Sequence, residues 1–156
     1  MENLNRRDLC ALLSAFTAVA ALPSEAQSTM APPPTTEHPI LAKSASFAFS
    51  ALPVVTNVNG QSREVIRGNL PTGEEVELHE TTLLPGHMPH PPHKHRHSEF
   101  MMVREGTVEF DNDGTKSRLG PGGVIFAASN VMHGLKNVGT TNANYFVLAV
   151  GQEIGG

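Results

Sequence analysis

The sequence predicts an all-β domain, and three observations predict it. Beyond Pro39 the apolar runs are short and rich in Val, Ile, Leu and Phe, the residues that suit a pleated surface. Turn signals separate them at Asn59-Gly60, Pro71-Thr72-Gly73, Pro85-Gly86, Asp113-Gly114 and Gly120-Pro121-Gly122-Gly123. No stretch after Pro39 sustains three turns of apolar 3.6 periodicity without Gly or Pro. A chain of many short strands with regular turns implies a sandwich, a jelly roll or a small barrel.

The elements follow in chain order. Residues 1–26 read as a secretory signal: Arg6-Arg7 supply the charged start, Leu9–Leu22 the apolar stretch, and Ser24-Glu25-Ala26 the small residues of a cleavage site. A helix over Leu9–Leu22 is about 21 Å long, too short for the hydrocarbon core of a membrane. Asn5-Arg6-Arg7-Asp8-Leu9 resembles a twin-arginine signal, so export is expected to the periplasm or outside the cell, by that route or the general one. Residues 27–40, with Pro32-Pro33-Pro34, read as an extended linker, and residues 41–156 as the β domain. The strands expected within it are Phe47–Ala51, Val54–Val58, Glu64–Arg67, Val76–Thr82, Glu99–Arg104, Thr107–Asp111, Val124–Ala127, His133–Asn137 and Tyr145–Val150. Val76-Glu77-Leu78-His79 shows the period of 2 that a half-buried strand requires.

Length and composition exclude several classes of function. The 156 residues suit one folded domain. The net charge of −4, without a basic block, disfavours nucleic acid as a partner. No apolar run reaches the length of a membrane span, so no membrane association is expected after processing. The only cysteine, Cys10, leaves with the signal, which excludes disulfides and a thiolate zinc site.

The unusual feature is eight histidines, five of them between His87 and His97. In Pro92-His93-Lys94-His95-Arg96-His97-Ser98-Glu99, residues two apart on an extended chain face the same way, so His93 and His95 converge and Glu99 can join them. Imidazole and carboxylate suit Mn, Fe, Co, Ni or Zn. His133 opens a later strand and is placed to add a fourth donor. His87, His90 and His97, among prolines and charges, read as solvated rim residues that can capture metal or titrate near neutrality. His79 reads as a surface histidine, with a role behind the ligands or as a general base as the alternative. Lys94 and Arg96 alternate with the ligands and face outward. Met101 and Val103 keep the phase of Glu99 and can line a cavity, whereas Phe100 and Met102 face the other side. Met101, Phe110, Phe126 and Tyr145 are the candidate apolar walls.

Two blocks of this chain resemble the motifs of the cupin superfamily. The first is Gly86, a spacer, His93-x-His95, three residues, Glu99, six residues, Gly106. Its spacer is six residues where five is usual. The second is Gly122, His133 and Asn137 at the expected intervals, with Ala128 in place of a proline and Asn130 in place of a glycine. Asn tolerates the left-handed conformation, so the turn before His133 can survive.

The resemblance implies a single cupin-type β-barrel, jelly-roll-like, of two antiparallel sheets. It implies that His93, His95, Glu99 and His133 bind one divalent transition metal (Fe, Mn, Ni, Co or Zn). Glu99 doubles as the catalytic base if it detaches during turnover. Three imidazoles and one carboxylate leave an octahedral ion two open positions, which is what a catalytic site needs. The expected function is that of an exported metalloenzyme, oxygenase-like or lyase-like, with a small-molecule substrate. The alternative is a noncatalytic metal- or ligand-binding module. Small members of the family often pair through N-terminal strands, so a homodimer through Phe47–Val58 is expected.

Overall fold

The computed structural model describes residues 38–154. The signal and all but the end of the segment read as linker lie outside the described residues. A six-stranded antiparallel sheet has the order β1-β2-β3-β9-β4-β7, with β1 at Val55–Asn57, β2 at Gly60–Asn69, β3 at Glu75–Leu83, β4 at Ser98–Glu105, β7 at Val124–Ala127 and β9 at Ala143–Gly151. A three-stranded antiparallel sheet has the order β6-β5-β8, with β5 at Val108–Asn112, β6 at Thr115–Leu119 and β8 at His133–Asn137. No α-helix occurs among the described residues.

The two sheets enclose an apolar core of Leu83, Met101, Val103, Val108, Phe110, Ile125, Ala127, Leu135, Ala143, Tyr145 and Val147. Strand alternation and register supply it. His79 pairs with Val147 and Val147 with Met101, while Thr81 pairs with Tyr145 and Tyr145 with Val103, so these positions share one face. The intervening residues Phe100 and Met102 are exposed, as their phase predicts.

Local chemistry explains where the strands begin and end. The β5–β6 hairpin turns on Asp113 and Gly114, both at positive φ (49° and 86°), the geometry that tight hairpins favour. Asp111 closes it by accepting a hydrogen bond from the Gly114 amide at 2.8 Å. Strand β6 was not expected: Thr-Lys-Ser-Arg-Leu has no apolar alternation because this edge strand is exposed along most of its length. Conversely, Phe47–Ala51 forms no strand. A 3-10 turn occupies Phe49–Ala51, and the ladder starts only after Pro53, which has no N–H to give. Phe49 instead packs beneath the guanidinium groups of Arg63 and Arg104, 4.6 and 4.9 Å from its ring centroid. The chain is already tied to the sheet at Pro39–Leu41, where Asn69 donates to the Pro39 carbonyl and accepts from the Leu41 amide.

Gly106 illustrates how tightly the turns are packed. Its φ is +79°, and a Cβ there would lie 2.6 Å from Ala143 Cα and 2.7 Å from the Asn142 carbonyl oxygen. Both objections are to backbone, so neither can relax cheaply. Gly106→Ala is therefore expected to cost about 3 kcal/mol, read as a lower urea midpoint with unchanged slope. A change below about 1 kcal/mol would show that the β4–β5 turn relaxes freely.

Candidate metal centre

Three chain segments build the site. His93 and His95 lie in the irregular stretch between β3 and β4, Glu99 is the second residue of β4, and His133 opens β8. An isolated antiparallel bridge joins His93 to His133, with reciprocal backbone hydrogen bonds of 2.9 Å, and brings their side chains together. Asn130 has φ +59°, the left-handed conformation expected of it, and its amide donates to the His95 carbonyl at 2.7 Å. That bond ties the loop before His133 to the H-x-H segment. Gly134 leaves room for Pro92, whose Cγ would be 3.1 Å from an added Cβ.

Of the four residues expected to act together, His93, His95 and His133 cluster, and Glu99 lies against His95 and His133. Ring centroids of His93, His95 and His133 are 4.8–5.0 Å apart. Glu99 Oε1 is 3.3 Å from His95 Nε2, and Oε2 is 3.5 Å from His133 Nε2. The outer nitrogens are fixed by carbonyl oxygens, which can only accept: His95 Nδ1 donates to His97 O and His133 Nδ1 to Val131 O, each at 2.9 Å. In the neutral rings the lone pair is then on Nε2, facing the centre. Both Nε2 atoms are buried without a hydrogen-bond partner, as is Nδ1 of His93. Orphaned buried imidazole nitrogens cost stability unless something binds them. A divalent transition ion is the partner that three imidazoles and a carboxylate fit.

The electrostatics of the cluster follow from burial and from the one carboxylate among the imidazoles. Burial works against the Glu99 charge, but the adjacent imidazoles, His133 first and then His95 and His97, outweigh it and hold the carboxyl down at about 2. Burial, and then the neighbouring His90, His133 and His95, push His93 down to about 4. His133 moves the other way, raised above its ordinary 6.5 chiefly by the Glu99 carboxylate, whose Oε2 lies 3.5 Å from its Nε2. An incoming ion must displace that proton, so affinity should fall as pH drops through the raised His133 range. His93 is already neutral there and adds a further fall only near pH 4. Zinc titrations between about pH 8 and 5 check this, and constant affinity across that interval would contradict it.

Beside the cluster opens a cavity of about 160 Å³ lined by His79, Thr81, Pro89, His90, Glu99, Met101, His133, Leu135, Tyr145 and Val147. Met101 and Tyr145 are therefore walls, as their phase suggested. Burial pushes the Tyr145 phenol well above its ordinary pKa, so it stays protonated. Phe126 is not a wall: it is 54% exposed on the opposite face, against Phe100, because its register partner Phe100 faces out. Phe110 and Val103 belong to the core beneath. His79 is no plain surface residue, since it lines the cavity and its Nδ1 is 3.1 Å from Glu77 Oε1. Lys94 and Arg96 are exposed, and Arg96 pairs with Glu153. His87 and His90 sit at the exposed rim, with His90 edge-on to His93 at 4.1 Å.

His97 departs from expectation. Read as a rim residue, it is instead only 7% exposed, stacked on His95 with its Nε2 3.4 Å from Glu99 Oε1. The signal was present in the sequence, because His93, His95 and His97 share one alternation.

Residues 79–150 match the family model of the cupin domain. No curated protein sequence matches the chain. Among solved structures, an RmlC-like cupin from Shewanella frigidimarina is 20% identical with a TM-score of 0.58, covering 70% of this chain and 94% of its own. KdgF from Halomonas sp. is 19% identical with a TM-score of 0.59, covering 69% and 94%. Oxalate decarboxylase OxdC from Bacillus subtilis is 21% identical with a TM-score of 0.58, and the match spans 80% of this chain but 34% of that one. Two antiparallel sheets, a matching family model and these shared folds lead to one conclusion: residues 79–150 form a cupin domain.

Proposed function

We propose that this cupin is an exported, metal-dependent enzyme, lyase-like or oxygenase-like, acting on a small organic molecule. The observation that carries the reading is the pair of unpartnered Nε2 atoms, of His95 and His133, that face the Glu99 carboxylate beside a largely apolar cavity. In this reading His93, His95, Glu99 and His133 hold one divalent ion. Such an ion, when bound, supplies Lewis acidity and, for a redox-active element, electrons for dioxygen.

The chain's own residues do the rest. Met101, Leu135, Tyr145 and Val147 receive the apolar part of the substrate and exclude water. Glu99, held well below the ordinary carboxylate range, would be a poor base as a ligand, and would accept a proton from a substrate hydroxyl or C–H only if it detached from the ion. His79 offers a second acceptor on the cavity wall, since donation from Nδ1 to Glu77 leaves the Nε2 lone pair free. Oxalate decarboxylase and a polyketide cyclase, RemF from Streptomyces resistomycificus, share the fold at 21% and 19% identity. A shared fold does not set the reaction, so the choice between classes rests on the site.

Export is supported by the signal pattern in residues 1–26. A homodimer is supported by Val54, Val55 and Val58, which expose apolar surface at the β1 edge of the large sheet. The test is a screen of small hydroxy, keto and carboxylic compounds with metal-loaded protein. An enzyme forms product and loses that ability in His93→Ala or Glu99→Ala while its melting curve still reports a folded barrel. Saturable uptake without product would favour the noncatalytic module instead.

A further inference from the structure

His97 is outside the set of four, yet it is built into the site. Its ring lies flat on that of His95, with centroids 3.6 Å apart and planes 6° from parallel. The stack sets both Nε2 atoms over one carboxylate oxygen, Glu99 Oε1, at 3.3 and 3.4 Å. Donor atoms of His95, His97 and Glu99 lie within 4.8 Å of one another, as do those of His93, His95 and His133. Gly151 makes the placement possible, because a Cβ there would come within 3.0 Å of His97 Cα.

The two triangles of donors share His95. Its Nδ1 is committed to the His97 carbonyl, so only Nε2 can bind a metal, and it can serve one ion at a time. The triangles are therefore alternative seats for one ion. We propose that the ion has two overlapping seats, and that His97 is the reserve donor that retains it when a ligand of the first seat leaves. This inference rests on the metal-binding reading above.

His93 is the ligand that leaves. His95 and His133 are pinned through Nδ1 to backbone carbonyls, whereas Nδ1 of His93 has no partner. His93 is also half-buried, against the exposed His90 at the cavity rim, while His133 is deeply buried. A substrate entering past His90 can take the place of His93. The ion then keeps two imidazoles and a carboxylate at the second seat, a donor set suited to the same elements.

Cobalt(II) is the probe. Each imidazole bound to it contributes one strongly shifted, exchangeable N–H resonance in the proton NMR spectrum, and competition with a chelating dye gives affinity. In the wild-type background, His97→Gln should leave the shifted resonances unchanged and affinity within about twofold. In the His93→Ala background, the same change should delete one shifted resonance and lower affinity a further tenfold or so, the range for a lost supporting ligand. His97→Phe, which keeps the stack and removes the donor, should repeat both results if the Gln variant misfolds. Identical cobalt spectra for His93→Ala with and without His97, or the same affinity cost in both backgrounds, would overturn the proposal. Wild-type protein that binds no cobalt would overturn the metal-binding reading itself, so the two failures are distinguishable.

Discussion

Replacing His95 with alanine is expected to strip the protein of its ion and to lower its melting temperature more than any other single ligand change. His95 is the one imidazole common to both triangles of donors, so no neighbour can substitute for it. An ion that binds only the folded state contributes RT ln(1 + [L]/Kd), about 2.7 kcal/mol at a hundredfold excess over Kd. For a domain of this size that corresponds to roughly 10 °C. The measurement is a pair of melting curves, with zinc and with chelator. Wild type should lose the increment on chelation, whereas His95→Ala should melt at nearly one temperature in both. A zinc-dependent shift retained in full by His95→Ala would place the ion elsewhere.

Asn137→Ala is expected to destabilise the fold by roughly 3 kcal/mol even without metal, from one stranded buried carbonyl and two lost part-buried hydrogen bonds. The Asn137 side chain is fully buried at the end of β8. Its Nδ2 donates to Leu83 O at 2.9 Å and Thr141 O at 2.8 Å, and its Oδ1 accepts from the Gly139 amide at 2.9 Å. One amide group thus ties the end of β3 to the β8–β9 turn. Alanine strands the buried Leu83 carbonyl and removes the partners of the part-buried Thr141 carbonyl and Gly139 amide. Asn137→Asp keeps the acceptor and loses both donors, so its cost should be intermediate in origin but still large. Urea denaturation of chelated protein checks this, and a loss below about 1 kcal/mol would show that water satisfies the stranded groups.

The parts of the molecule legible in the sequence are those whose physics is local. Val124–Ala127 and His133–Asn137 form strands with the expected bounds, because apolar alternation and flanking turns act within a few residues. Asp113-Gly114 turned where its positive-φ residues required. What it returned into, Thr115–Leu119, was illegible because an exposed edge strand needs no apolar pattern. Phe47–Ala51 looked like a strand by composition, yet its aromatic residue found cations rather than a ladder. In the site, the spacing of His93 and His95 and the position of His133 at the start of a strand anticipated the clustering of these three rings. The burial of His97 was not anticipated, since it depends on Gly151, far along the chain in β9. Phe126 was misplaced for a similar reason: which face of β7 looks inward is decided by pairing with β4.

The central claim is that one ion sits among His93, His95, Glu99 and His133. Plasma mass spectrometry on untagged protein purified from its native host tests it most directly, with the His95→Ala and His133→Ala variants measured alongside. About one Fe, Mn, Ni, Co or Zn per chain in wild type, with almost none in His95→Ala and much less in His133→Ala, is the predicted result. Metal-free wild type that gains nothing on incubation with any of these ions, or variants that retain it undiminished, would contradict the claim.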